Sequence, residues 1–133
     1  MRYTIGDAAK QTGCAASTIR YYEKIGLIGA SSRGNNGYRY YDSAAIERLS
    51  FVHRARLLGF SIDATAQLLQ LADHPNSPCD DVDRLVANQL DDVRERLCQL
   101  QTLESRLMRL QEACVGGHAI QHCGVLTALS SNY

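Results

Sequence analysis

The sequence lacks several features that would each place the chain elsewhere. Its first residues, Met1-Arg2-Tyr3-Thr4-Ile5-Gly6-Asp7, hold no apolar targeting core, and no stretch approaches the roughly 20 apolar residues of a membrane span. These absences predict a cytoplasmic protein that makes no membrane contact. Proline is nearly missing: Pro75 and Pro78 are the only two, and they bracket a single joint. There is no Cys-x-x-Cys pair and no run of four clustered thiols, which argues against a thiol oxidoreductase and an iron–sulfur protein. No Ser/His/Asp set stands out either, and the reading is of a protein that is not an enzyme. An odd count of 5 cysteines with no export signal fits metal binding or free thiols better than a disulfide framework.

Net charge is absent too, but the zero hides two opposites. Residues 1–60 carry nine Lys/Arg against four Asp/Glu, whereas residues 61–133 carry five against ten. A basic front and an acidic back predict a polyanion-binding head joined to a separate acidic body. With 133 residues the chain is one or two small units rather than a large enzyme.

Thr4 and Asp7 form a [ST]-x-x-[DE] cap ahead of Ile5, Ala8 and Ala9, predicting a first helix from about residue 5 to 11 that ends at Gly13. Ala15 to Lys24 reads as a second helix, with Ile19 and Tyr22 turned inward and Ser17, Thr18, Arg20 and Tyr21 outward. Two short helices across a Gly-containing turn make a helix-turn-helix. The stretch from Arg33 to Tyr41 then places an Asn-Gly turn before a basic, aromatic strand, which is a hairpin signal. Together these predict a winged helix, with the second helix in the major groove and the wing along the phosphates. Tyr40 is assigned to packing on the strand face. Asp42 or Ser43 caps a third helix carrying Ile46, Leu49, Val52 and Leu57, stopped by Gly59, and Ser61 caps a fourth through Leu68, Leu69 and Leu71. The predicted organisation is a winged-helix DNA-binding domain over 1–72, a hinge over 73–79, a dimerisation helix over 80–113, and a metal-binding loop with a short C-terminal helix over 114–133.

Val86, Leu90, Val93, Leu97, Leu100, Leu103, Leu107, Leu110 and Cys114 recur at steps of three and four, the seam of a coiled coil. No comparable partner helix remains in the chain, so the seam predicts a homodimer. Val125, Leu126, Ala128 and Leu129 read as a short apolar helix able to hold the loop before it. The fold class is therefore mostly α: a winged helix-turn-helix head, a long antiparallel coiled-coil helix and a C-terminal metal loop.

Cys79, Cys114 and Cys123, with His118 or His122 as an added imidazole donor, have the chemistry of a soft-metal site. Three thiolates suit trigonal mercury or lead, and an added imidazole suits tetrahedral zinc or cadmium. Cys79 sits at the N-terminus of the long helix, where unpaired N–H groups and the helix dipole favour negative charge. At about 1.5 Å per residue, however, that helix separates Cys79 from Cys114 by roughly 50 Å. The thiols meet only if Cys79 of one subunit lies beside Cys114 and Cys123 of an antiparallel partner, which makes two sites per dimer. Cys14 and Cys98 are read as small packed hydrophobes.

Ile5-Gly6-Asp7-Ala8-Ala9-Lys10, Thr18-Ile19-Arg20-Tyr21-Tyr22-Glu23-Lys24 with Gly26-Leu27, the wing from Arg33 to Tyr41, and Ala55-Arg56-Leu57-Leu58-Gly59-Phe60-Ser61 carry a resemblance over essentially the whole chain. The sequence resembles the MerR-type metal-responsive transcription regulators. That resemblance implies a dimer seated on double-stranded promoter DNA with an overlong spacer, which bends and untwists the DNA on metal binding so that RNA polymerase uses both promoter elements. It implies DNA contacts from Thr18, Arg20 and Tyr21, with Ser17 beside them, and from Arg33, Tyr38 and Arg39 of the wing. His53 stands where relatives usually carry Lys or Arg. Copper(I) and silver sensors of this family usually have Ser at the position of Cys79, so Cys79 implies a divalent ion. The absence of a second cysteine at Val115 implies one ion per site, as in the cadmium and lead sensors, and the eight-residue gap from Cys114 to Cys123 also occurs in mercury sensors. The cofactor expected is thus one cadmium, lead, zinc or mercury ion per site. Alternatives are a copper(I)/silver or thiol-redox regulator of the same family and, from a different class, a zinc-stapled coiled-coil interaction protein.

Overall fold

The computed structural model describes residues 2–30, 32–113, 116–117 and 119–130. The chain divides into two compact units, Met1–Val86 and Ala87–Tyr133.

In the first unit a two-residue strand, β1 (Tyr3–Thr4), leads directly into α1 (Ile5–Thr12). The capping box forms as its sequence requires: Thr4 Oγ1 accepts from Asp7 N, and Asp7 Oδ2 accepts from Thr4 N. These hydrogen bonds stabilise the ionised Asp7 and hold its pKa below the ordinary carboxylate value, the backbone N–H of Thr4 being the largest cause. Gly13, at φ 76°, closes α1 in the left-handed region, and its N–H returns to Ala9 O. Helix α2 (Ala16–Lys24) follows, with Ile19 and Tyr22 buried as the sequence pattern places them.

Strands β2 (Ser32–Arg33) and β3 (Arg39–Tyr41) pair antiparallel with Arg33 opposite Arg39. Gly37 takes φ 82° in the connecting turn, and Tyr38 N–H is held by Asn36 Oδ1 at 3.1 Å. Strand β3 is central, because β1 pairs with its other edge, Tyr3 opposite Tyr41. The sheet thus has a third strand that the hairpin signal alone does not announce. Tyr40 packs on the strand face with the Arg2 guanidinium 4.2 Å from its ring centroid, and Tyr41 is buried at 1% exposure.

Helix α3 (Ser43–Leu57) is capped by Asp42, whose Oδ1 accepts from Ala45 N at 2.8 Å, and α4 (Ile62–Ala72) by Ser61, whose Oγ accepts from Ala64 N at 3.0 Å. Ile46, Leu49, Val52 and Leu69 join Ile19, Tyr22 and Tyr41 in one core. Leu57 does not: it is 72% exposed. Five residues after Val52 it has left the i, i+3, i+4 stripe, and Phe60 beyond Gly59 is buried instead. Cys14 lies in this core, and burial pushes its thiol pKa up.

Past the two prolines, α5 (Asp80–Glu112) runs for 33 residues without a buried side chain. The part of its predicted seam from Val86 to Leu107 is exposed in the single chain, from 38% at Val93 to 63% at Leu100, Leu110 is half-buried, and Cys114 lies outside the described residues. Cys98 is exposed as well, so packing within the chain does not account for it. A 3₁₀ turn (Ile120–His122) and α6 (Gly124–Ser130) complete the second unit. Among the described residues no helix is long and apolar enough to cross a membrane.

Leu49→Ala is expected to lower unfolding stability by about 2–5 kcal/mol, and Leu57→Ala to leave it within about 0.5 kcal/mol. Denaturant titration of both variants checks the difference.

Candidate nucleic-acid interface and thiol loop

The turn outside α2 and the wing enclose an open cavity of about 330 Å³ lined by Ile5, Arg20, Arg33, Gly37, Tyr38 and Arg39. Three arginines therefore line it from three elements, Arg20 from α2, Arg33 from β2 and Arg39 from β3. Such a concavity is suited to phosphate oxygens, since guanidinium donors are always charged and bind them in pairs. Tyr38 stands at its rim, 67% exposed.

The wing is fixed to α2 by a carboxylate that the DNA-contact pattern does not single out. Glu23 accepts a hydrogen bond from Tyr41 Oη on one oxygen and pairs with Arg39 Nη1 at 3.1 Å through the other. Its side chain is only 10% exposed. Both carboxylate oxygens thus hold wing residues, one from the buried core and one from the cavity. A sequence signal for this exists: Ile19, Tyr22 and Glu23 fall at i, i+3 and i+4, so a charge sits on the inward face of α2 and requires a partner. Arg39, read from sequence as a DNA contact, is half-buried and engaged by Glu23, so it both braces the wing and lines the cavity. Arg2 was also not singled out; its Nη2 reaches Ser32 Oγ at 3.5 Å while its guanidinium covers Tyr40.

The remaining candidates distribute unevenly. Ser17 is exposed on α2 and Thr18 half-buried beside it. Tyr21 is exposed but lines a different hollow of about 490 Å³, with Ile25, Ile62 and Leu69, and is not part of the arginine cavity. His53 is half-buried on α3 with its Nε2 over the helix-turn-helix turn, 3.5 Å from where a Cβ on Gly13 would lie.

Of the thiol candidates, Cys79 is exposed at the start of α5, where its carbonyl accepts from Asp83 N at 2.9 Å and its Sγ lies 3.8 Å from Asp83 Oδ2. Cys123 is half-buried between the 3₁₀ turn and α6. Its N–H donates to Ile120 O at 3.0 Å, and its carbonyl accepts from Thr127 N at 3.0 Å. His122 is exposed, with Nε2 3.3 Å from Gln121 Nε2. Cys114 and His118 lie outside the described residues. Among the described residues of one chain, no three His, Cys, Asp or Glu side chains gather as a metal site.

Comparison with known proteins places this geometry. Residues 3–72 match the family described as MerR HTH family regulatory protein, and residues 46–110 match the one described as MerR, DNA binding. The chain is 36% identical over 129 residues to the HTH-type transcriptional regulator ZntR of Escherichia coli K12, spanning 96% of this chain and 92% of that one. It is 33% identical over 129 residues to the mercuric resistance operon regulatory protein of Bacillus cereus, spanning 97% and 98%. Among solved structures, the transcription regulator PbrR691 from Ralstonia metallidurans CH34 in complex with lead(II) superposes with a TM-score of 0.82 at 34% identity, over 96% of this chain and 99% of that one. Each is a regulator of transcription rather than an enzyme.

Arg20→Ala and Arg33→Ala are each expected to weaken binding to any duplex and to reduce the slope of log affinity against log salt by about 1. Arg109→Ala, on α5, is the control that leaves the slope unchanged. Fluorescence anisotropy across a salt series reads all three.

Proposed function

Because the chain belongs to the MerR family of helix-turn-helix regulatory proteins, we propose that it is a metal-responsive transcriptional regulator, binding promoter DNA as a homodimer in the cytoplasm. The relatives include a mercuric resistance regulator and a lead(II) complex, which supports a soft divalent ion as the signal. In this reading the dimer distorts the promoter when the ion is bound, and RNA polymerase then initiates.

The observation that carries the proposal is the pair of ends of α5. Cys79 immediately precedes the helix and Cys123 follows it, with 33 helical residues between them. A helix of that length spans roughly 50 Å, so the two thiols cannot be ligands of one ion within one straight helical arm. An antiparallel partner reverses the order of ends, setting Cys79 of one subunit at the loop of the other. The same pairing covers the exposed seam of α5, each fully buried Leu being worth about 1.5–3 kcal/mol. One requirement, burial of the stripe, thereby supplies the geometry that the other, a shared site, needs.

The donors fit a soft ion. Cys79 is exposed and Cys123 partly so, and the backbone of each is held by local hydrogen bonds. With Cys114 they supply three thiolates, with His118 or His122 available as a fourth donor. A bound divalent ion would supply the positive charge that holds three anionic sulfurs together. The chain's own contribution is to bring them there from two subunits. In the DNA-binding head Ser17, Thr18, Arg20 and Tyr21 present α2 to the major groove. Arg33, Tyr38 and Arg39 present the wing to phosphates, with His53 of α3 as a further contact.

In vitro transcription from the promoter region upstream of the protein's own gene is the test. Cadmium, lead, zinc or mercury is expected to raise transcript above the metal-free level, and Cys79→Ser to abolish that rise while the dimer and its DNA affinity persist. A divalent response that survives Cys79→Ser refutes the shared site. A rise with copper(I) or silver alone refutes the divalent assignment.

A further inference from the structure

The three arginines that line the cavity between α2 and the wing are not equivalent. Arg20 and Arg33 are exposed, and among the described residues neither has a carboxylate partner. Arg39 lines the same cavity, yet its Nη1 lies 3.1 Å from Glu23 Oε2, and its side chain is 35% exposed against 10% for the carboxylate. Strand geometry accounts for the difference. Side chains two apart on a strand share a face, so Arg39 and Tyr41 of β3 both turn to α2, where Glu23 takes one on each oxygen. Arg33 stands opposite Arg39 in the ladder, next to the wing turn, and keeps its charge.

A duplex responds to the charge that is left over. The salt dependence of binding counts the phosphates that a protein neutralises, and a guanidinium already neutralised by a carboxylate adds nothing to that count. If a phosphate took Arg39, the Glu23 carboxylate would be left nine-tenths buried with only the Tyr41 hydroxyl to hold it. Breaking one partner away from a buried charge is strongly unfavourable.

We propose that Glu23 is a specificity-determining residue of DNA binding: it keeps the charge of Arg39 out of the phosphate contacts, so that sequence-independent affinity draws on Arg20 and Arg33 while Arg39 fixes where the wing lies. The inference rests on the reading of the head as a promoter-DNA binder and of this cavity as a phosphate contact, and it deepens that reading by giving the two wing arginines different tasks. A regulator has to find one site among a large excess of non-cognate duplex. Every uncompensated cation strengthens its hold on all of that duplex alike. A carboxylate that cancels one cation weakens binding to the wrong sites, and the same bond keeps the wing in the position that the right site needs.

The metal-free, full-length dimer is titrated by fluorescence anisotropy across a salt series onto two duplexes, its own promoter region and a shuffled sequence of equal composition. Glu23→Gln keeps the side chain's size and an acceptor for Tyr41 Oη, and removes the charge. It is expected to steepen the slope of log affinity against log salt by about 1 on both duplexes. Affinity for the shuffled duplex at low salt should rise about fivefold, and that for the promoter less, so that the ratio between them falls. The Glu23→Gln/Arg39→Gln double variant removes both charges of the pair and should return the slope to that of the natural chain. Weaker binding to both duplexes at unchanged slope in Glu23→Gln overturns the proposal, because Glu23 would then be a brace with no role in charge. So does a double variant whose slope is shallower by about 1, since Arg39 would then be a phosphate contact in its own right. The double variant leaves no unpaired charge at this position and decides the matter where Glu23→Gln alone does not fold. If neither Arg20→Ala nor Arg33→Ala reduces the slope, the phosphate reading of the cavity fails and the inference falls with it; a slope reduced by both but unmoved by Glu23→Gln rejects the inference alone.

Discussion

The apolar stripe of α5 must be covered, and most of what lies beyond residue 79 follows from that. Seven large side chains from Val86 to Leu107 stand between 38% and 63% exposed along one helix, a cost in water that no hydrogen bond offsets. Among the described residues none buries them: α6 is seven residues long and its own Leu126 and Leu129 are exposed. A second copy of α5 is the cover whose length and pattern match. In the proposed antiparallel pair the ends of the two helices coincide, and the sensor site would be assembled from two chains.

The head depends on a smaller constraint, the buried carboxylate of Glu23. A charge with 10% exposure is tolerated only when paired, and its pairing with Arg39 and Tyr41 ties the recognition helix to the central strand of the wing. The two parts of the head that would meet DNA are thus one body, and Arg20 and Arg33 face the same cavity because of it. Regulation by DNA distortion needs such a body, since a loose wing would yield before the duplex does.

Much of this was legible in the sequence where the cause is local. The Thr4/Asp7 box, the Asp42 and Ser61 caps, the Asn36-Gly37 turn and the burial of Ile19, Tyr22, Leu49 and Leu69 each arise from a few adjacent residues. Legibility ended where the cause is tertiary. Strand β1 has two residues and no period to detect, and it exists only because β3 offers it an edge. Leu57 is apolar and helical but one position off the core stripe, and composition alone placed it inside. Gly124 resembles any helix-leading glycine until Ala113, eleven positions earlier, is found against it. Cys98 was assigned to packing by residue type, yet it is exposed on α5, because a lone helix has no interior.

The claim on which the account turns is that Cys79 of one subunit serves the loop of its partner. A differentially tagged heterodimer, one subunit carrying Cys79→Ser and the other Cys123→Ser, tests it by counting high-affinity lead(II) ions per dimer. Each variant homodimer lacks a thiol at both sites and should retain no three-thiolate site. The heterodimer should regain one, because the intact Cys79 of one subunit then faces the intact loop of the other. A heterodimer that binds no better than either homodimer would show that the thiols do not combine across the dimer in this way.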